Sequence, residues 1–449
     1  MIETPLENDV LNELAYAADE TADAIVVDVA KSFHKNPGDM DWDKRREVFP
    51  ELMRMVGRDE EPFGKFVRGG AKIDRKIKPE LVHHAQGFFE EHGVAVITAL
   101  FLASLPQAYL GRRGVQVLDL TGELVSNWSR RIQETGQFLI NVLTGDPSSP
   151  EDGKTNLHHG EFGARVVRRV RLTHAAVRWL LMAPYNPKHI LLFREDLEGP
   201  KTVWRLRMNQ IGEVGKDGKL SAPLSQEDLL GTLGTFTTVV FQALQKLAVT
   251  YDEQDREAFY HLWNVVGWHL GIGDSEALRD VTTGIKRRSW PGNEILPLRA
   301  QEMDALFERL RQRLEGESEE GRRLAKTLVQ DFSYPLPRQI QGAPAFVVRY
   351  LIGDNRANML DIDAGGYAEL LVRRTRVLEM LAKRTRATFV GELMLSAVSQ
   401  MFTRYALRLF VARSRESERG LTIDPHTASR WGIQTGPELW IREPSAARR

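Results

Sequence analysis

A mainly α-helical protein with one small β-like insertion is what this sequence predicts, and three observations predict it. Segments of helical length, with apolar residues at helical spacing, dominate the chain. The longest apolar run, 94–105, is about twelve residues, which suits a buried helix and is too long for an ordinary strand. Period-two alternation with turn chemistry is confined to one stretch, 186–220.

Residues 1–75 are more polar and less periodic, and read as an N-terminal arm with some helix. Residues 76–412 read as one large helical domain, and 413–449 as a C-terminal tail. Both ends are expected as extended arms on the core. Within the domain, 79–105 opens with Pro79 at a first helical turn. A second helix, 124–143, runs into a breaker-rich loop at 144–153, and a third, 165–181, is stopped by Pro184. In the insertion, 189–193 and 202–208 read as strands, with the glycines of 212–219 supplying a turn. Beyond it Ser225 stands as an N-cap with Asp228 at the capping-box position, opening a helix to Leu247. Further helices are expected over 253–270, 300–313, 321–330, 346–352 and 369–410.

Composition narrows the function. Of 449 residues, 61 are Lys or Arg and 61 Asp or Glu, so the formal charge is zero. That excludes a general electrostatic trap for nucleic acid or an anionic membrane. The chain contains no cysteine, which excludes disulfides, thiolate catalysis, Cys-held iron–sulfur clusters and thiolate-ligated haem. The N-terminus shows neither the basic region nor the apolar core of a signal peptide, and the 94–105 run falls short of the ~20 residues that span a bilayer. A cytoplasmic protein with no transmembrane segment is therefore expected.

With no cysteine, the eleven histidines are the candidate transition-metal ligands. His158-His159 sits in a Gly/Asp/Pro-rich loop without a third ligand at zinc-site spacing, and reads as a solvated pair. His261 and His269 are about two turns plus 80° apart on a helix, so they share no face; they and His83-His84 read as structural. His174 differs. Arg171, His174 and Arg178 lie at i−3, i and i+4 on one helix face, beside the small Ala175 and Ala176. An imidazole between guanidinium groups suits a porphyrin, with His on iron and Arg on the propionates; a core histidine beside solvated arginines suits the same spacing. On the preceding helix Arg131 and Thr135 are i, i+4 neighbours, a cation beside a hydroxyl, and Arg130 with Glu134 makes an equally regular surface ladder. The segment 212–219 fails as a P-loop, no G-x-S-x-G or His-Glu-x-x-His element occurs, and Lys286-Arg287-Arg288-Ser289-Trp290 reads as a solvated basic turn.

Several segments together resemble the latex-clearing-protein (rubber oxygenase) and MpaB-type oxygenase family. Thr173-His174-Ala175-Ala176-Val177-Arg178 looks like its central motif, and Pro223-Leu224-Ser225-Gln226-Glu227-Asp228-Leu229-Leu230-Gly231-Thr232-Leu233 is similar to the next. Ala99 to Tyr109, Arg131 with Thr135, and Val347 to Asp354 also fit, so the resemblance runs from about Gly69 to Arg413. It implies a globin-like helical fold binding haem b, with His174 as proximal iron ligand and Arg131 and Thr135 near the distal side. It also implies dioxygen and a small, apolar, unsaturated isoprenoid or lipid as reactants, by C=C cleavage or oxygenation. The family's rubber-cleaving members carry Lys where this chain has Glu134, and they are exported; a distal lysine and a polyisoprene substrate are therefore not expected. The competing reading is a helical haem- or lipid-binding protein without turnover.

Overall fold

The structure, a computed structural model, describes residues 6, 8–34, 40–122, 128–144, 153–184, 202–215, 218–274, 295–296, 298–333 and 341–363, with backbone alone at 128–133. Among these residues helices carry the fold and no named strand occurs. The N-terminal region is folded rather than extended. It forms α1 (Asn8–Tyr16), α2 (Glu20–Ala30), α3 (Trp42–Gly57), α4 (Phe63–Arg68) and α5 (Ala71–Asp74). Each of α1 and α2 buries one apolar stripe: Val10, Leu11, Leu14 and Ala15 on α1, and Ala22, Val26, Val29 and Ala30 on α2. Polar residues on the opposite faces masked that periodicity.

The 79–105 helix is a composite of α6 (Pro79–Ala99), a π-helical turn (Leu100–Ser104) and α7 (Leu105–Ala108). Pro106 explains the wide turn. It has no N–H for the Leu102 carbonyl and its ring crowds that oxygen; the Leu105 N–H instead reaches Leu100 O, five residues back. By length and composition Pro79–Ala108 could cross a membrane, yet 67% of its most apolar window is buried inside the protein. It is packed as a core helix.

The elements that follow are α8 (Gly114–Leu120), α9 (Trp128–Leu143), α10 (Phe162–Leu181) and α11 (Val203–Gln210). Helix α11 replaces the strand expected at 202–208. Thr202 caps it, accepting from Arg205 N at 3.2 Å, and no neighbouring strand is described to pair with it. Trp204, Leu206 and Met208 are buried, so the period-two apolar pattern is real, but tertiary burial on a helix satisfies it. The expected strand at 189–193 lies outside the described residues, as do the basic turn at 286–290, the helix at 369–410 and the C-terminal tail.

The core is completed by α12 (Gln226–Phe236), α13 (Thr238–Lys246), α14 (Glu253–His269), α15 (Ala300–Leu314), α16 (Glu319–Ser333), α17 (Ala343–Ile352) and α18 (Asp354–Met359). The Ser225/Asp228 capping box forms as expected, but the helix it opens breaks at Thr237, whose Oγ1 donates to Leu233 O at 2.9 Å. Helix α14 packs along α6, where Phe88, Phe241 and Phe259 meet with ring centroids 5.4–6.2 Å apart. Helix α15 crosses α12 at Gly231 and Gly234; a Cβ at Gly234 would overlap the Phe307 ring.

Among the described residues, buried apolar side chains gather into three clusters, and α10 contributes to all of them. Val167 belongs to the large cluster of α6, α12, α13 and α14. Leu172, Ala175, Ala176, Trp179 and Leu180 pack against α2, α3 and α4. Leu181 joins Val117, Trp204 and Met208.

Candidate functional site

The site is built on α10. Its start is drawn close to the end of α9, because a Cβ at Gly163 would lie 2.8 Å from Asn156 O and 3.2 Å from Asn141 O. Asn156 Nδ2 donates to the carbonyls of Asn141 (2.9 Å) and Thr144 (2.8 Å) at the end of α9. Gln86 of α6 donates to Asn156 Oδ1 at 2.9 Å. The corner between α9 and α10 is thus fixed by side-chain hydrogen bonds.

His174 stands in the middle of α10, half-buried. Val167 and Leu181 lie seven residues either side of it, so the three share a face, and both neighbours are fully buried in different clusters. The imidazole therefore sits on the stripe of α10 that joins the large core to the third cluster. Arg131 lies on α9 and His174 on α10, and these two helices pack on each other. Thr135, one turn nearer the corner, is half-buried, and Glu134 is exposed. The side chain of Arg131 lies outside the described residues.

Arg171 and Arg178, expected beside propionates, have other partners. Arg171 is 3% exposed; its Nε and Nη2 donate to the two carboxylate oxygens of Asp19 at 2.6 and 2.7 Å, and Nη2 also to Asp274 at 2.7 Å. Arg178 Nε donates to Asp23 at 2.8 Å and Nη1 to the Leu224 carbonyl at 3.3 Å. Burial pushes the Asp23 carboxyl up to about 6, against the pull of Arg178. Helix α2 presents both aspartates, and their attraction draws the guanidinium groups toward it rather than leaving them as solvated or ligand-facing cations. In this structure both arginines clasp α2 through these carboxylates.

The same corner explains the Ser-Gln-Glu-Asp motif. Gln226 is fully buried; its Nε2 donates to the carbonyls of Ala18 (3.0 Å) and Gly271 (3.1 Å), and its Oε1 accepts from Gly273 N at 2.9 Å. Its backbone N–H donates to Ala17 O at 2.9 Å. Glu227, 1% exposed, binds Arg113 and, at 2.5 Å, Arg313. Gly271, at φ +84°, leaves room for Arg171, whose Nε would lie 2.5 Å from a Cβ there. Sequence inspection missed Asp19, Asp23 and Asp274, which lie about a hundred residues or more from their arginines; only the uncompensated charge of the Arg-rich α10 hinted that acidic partners exist.

Several other histidines among the described residues bond within the fold. His84 pairs with Asp255 at 2.8 Å and His159 with Asp74, while His158 Nδ1 accepts from Thr155 N at 2.9 Å. His261 Nε2 accepts from Lys78 N at 3.0 Å, and burial lowers its pKa to about 4. His269 Nε2 meets Leu157 O at 2.8 Å, and burial lowers its pKa to about 4 as well.

The helical architecture of the described residues has a counterpart among known proteins. The chain belongs to the family described as ER-bound oxygenase mpaB/B'/rubber oxygenase, catalytic domain, whose model matches residues 93–387, well over half the sequence. It is accordingly an oxidoreductase of the oxygenase class. Among solved structures it is similar to a latex clearing protein in its closed state, with a TM-score of 0.56 and 17% sequence identity over 89% of this chain and 91% of that one. At that identity the likeness is one of fold. No curated protein matches the chain.

Among the described residues no three His, Asp or Glu side chains gather as a metal site. A porphyrin supplies four nitrogen ligands itself and asks the protein for one axial imidazole. His174, on the stripe between two apolar clusters, fits that demand.

Proposed function

We propose that the chain is a haem b-dependent oxygenase that acts with dioxygen on a small, apolar, unsaturated isoprenoid or lipid. The observation that carries this reading is His174: a half-buried imidazole within the family's domain, on a helix that contributes to three apolar clusters of the described residues. His174 would hold the haem iron, and Arg131 and Thr135 would be the residues that handle dioxygen. Haem supplies the redox chemistry with dioxygen that no side chain of this chain can supply.

The protein's own contribution is positioning and exclusion of water. The Asn156 bonds hold α9 against α10, keeping Thr135 and His174 on helices of fixed separation. The Thr135 hydroxyl is a donor without charge, suited to hold an oxygen atom without giving it a full proton. Leu139 and Val240 are buried and Phe236 packs on the same cluster, so the interior beside these helices is apolar and favours an apolar substrate. Glu134, exposed on α9, is not assigned as a proton carrier.

The test is oxygen uptake by the haem-loaded protein against a panel of unsaturated fatty acids and short isoprenoids, with carbonyl products followed by mass spectrometry. Uptake should be substrate-dependent and should fall at least ~10-fold in Thr135→Ala at unchanged haem content, the loss of roughly one transition-state hydrogen bond. Haem binding without any substrate-dependent uptake across the panel would favour the carrier reading.

A further inference from the structure

A second corner of α10, on a different face from His174, holds polar groups that the oxygenase reading does not use. Arg168 is 6% exposed. Its Nε donates to Phe66 O at 2.8 Å and its guanidinium lies 4.3 Å over the Phe66 ring. Among the described residues no carboxylate pairs with it; the nearby Asp19 and Asp274 are hydrogen-bonded to Arg171 instead. A buried cation without a counter-ion is costly, and its pKa falls to about 10 through burial and the like charge of Arg171.

His269 faces the same corner. It is fully buried, Nε2 is taken by the Leu157 carbonyl, and Nδ1 is buried with no hydrogen-bond partner. Because a carbonyl can only accept, Nε2 carries the proton and Nδ1 offers a bare lone pair. Gly69 and Gly70 form the third side. A Cβ at Gly70 would lie 3.2 Å from Arg168 Nη1 and 3.5 Å from His269 Cε1, and one at Gly69 3.4 Å from Arg168 Nη2. Gly70 sits at φ +106°, so the chain presents backbone here where other residues would present a side chain. Arg168 and His269 therefore converge on one backbone surface, with two forked donors and one acceptor.

We propose that this corner binds a small oxyanion that carries a hydroxyl proton, of the hydrogen phosphate or hydrogencarbonate kind. Two of its oxygens accept from Nη1 and Nη2 of Arg168, and its O–H donates to Nδ1 of His269. The charge of the ion meets the guanidinium, and the proton meets the lone pair. Bound there, the ion ties the α4–α5 junction, α10, the end of α14 and, through His269, the Leu157 loop. It acts as a stabilising ligand at a site separate from His174.

Calorimetric titration of the full-length protein with phosphate at pH 7 and with hydrogencarbonate at pH 8 tests this, sulfate serving as the comparison at matched ionic strength. Sulfate has the same shape as phosphate but no proton for Nδ1 at either pH. At least one hydroxyl-bearing ion should bind at one per chain, at least ~10-fold tighter than sulfate. It should also raise Tm more than sulfate does, the general salting effect cancelling between them. His269→Gln keeps a donor for Leu157 O and removes the Nδ1 acceptor; it should abolish the preference over sulfate, and Arg168→Lys should weaken binding of the preferred ion at least ~10-fold. Equal affinity for sulfate and the hydroxyl-bearing ions, or no binding of either in the wild-type protein, overturns the proposal. So does a preference that survives His269→Gln.

Discussion

Helix α10 is held on one side by charge, and the core beyond it is held by shape. On the α2 side, Arg171 and Arg178 are bound by Asp19, Asp23 and Asp274, with Arg171 and Asp19 almost wholly buried. Where α12 crosses α15, Gly231 and Gly234 admit Leu314 and Phe307, and where α14 lies along α6 aromatic rings meet, with an ion pair beside each apolar contact. The two kinds of contact fail differently. An apolar contact loses the energy of the atoms removed, whereas a buried ion pair that loses one partner leaves the other charge stranded in the interior.

The largest effect should follow from breaking the charged side. Asp19→Ala removes both the bidentate partner of Arg171 and the cap of α2, whose Ala22 N–H donates to Asp19 at 3.2 Å. A loss of about 3–5 kcal/mol is expected in urea unfolding. A loss under ~1 kcal/mol would mean that Arg171 finds solvent, and the contrast between the two regions would disappear. Next comes Gly234→Ala, whose methyl meets the Phe307 ring. Overpacking of this kind costs about 1–3 kcal/mol, and Phe307→Leu in the same chain should recover part of it.

The smallest effect, and the most diagnostic of sign, is in pH. Asp23 in the clasp is raised to about 6 from an ordinary 3.8, so it binds a proton in the folded state first and adds stability as pH falls from 6 to 4. His261 in the core is lowered from 6.5 to about 4, so the unfolded chain binds the proton first and stability is lost as pH falls through the same window. Asp23→Asn should steepen the drop in Tm between pH 7 and 4.5, and His261→Gln should flatten it. Shifts in the opposite directions would contradict these environments.

The shape-held region was the more legible in sequence. Apolar periodicity located α6, α9, α10 and α12 to α17, and Ser225 with Asp228 marked a real capping box. Two local readings failed because local chemistry was read without its tertiary partners. The alternation at Trp204, Leu206 and Met208 is satisfied by burial on a helix, and the break at Thr237 follows from its own hydroxyl bonding back to Leu233. The charge-held region was nearly invisible. Arg171 and Arg178 were found, but their partners lie on α2 and in the turn after α14, too remote in sequence for any spacing rule. His174 was legible as an unusual residue on an unusual face; the motif around it, rather than its spacing, is what favours the ligand reading over that of a core histidine.

The central claim, that His174 holds haem iron, is tested most directly by the absorption spectrum of the purified protein reconstituted with haem. The wild type should show a Soret band at one haem per chain, and His174→Ala should lose it while keeping the helical far-ultraviolet signature of the fold. A folded wild-type protein that remains colourless after incubation with haem, or a His174→Ala variant with an unchanged Soret band, would contradict the assignment.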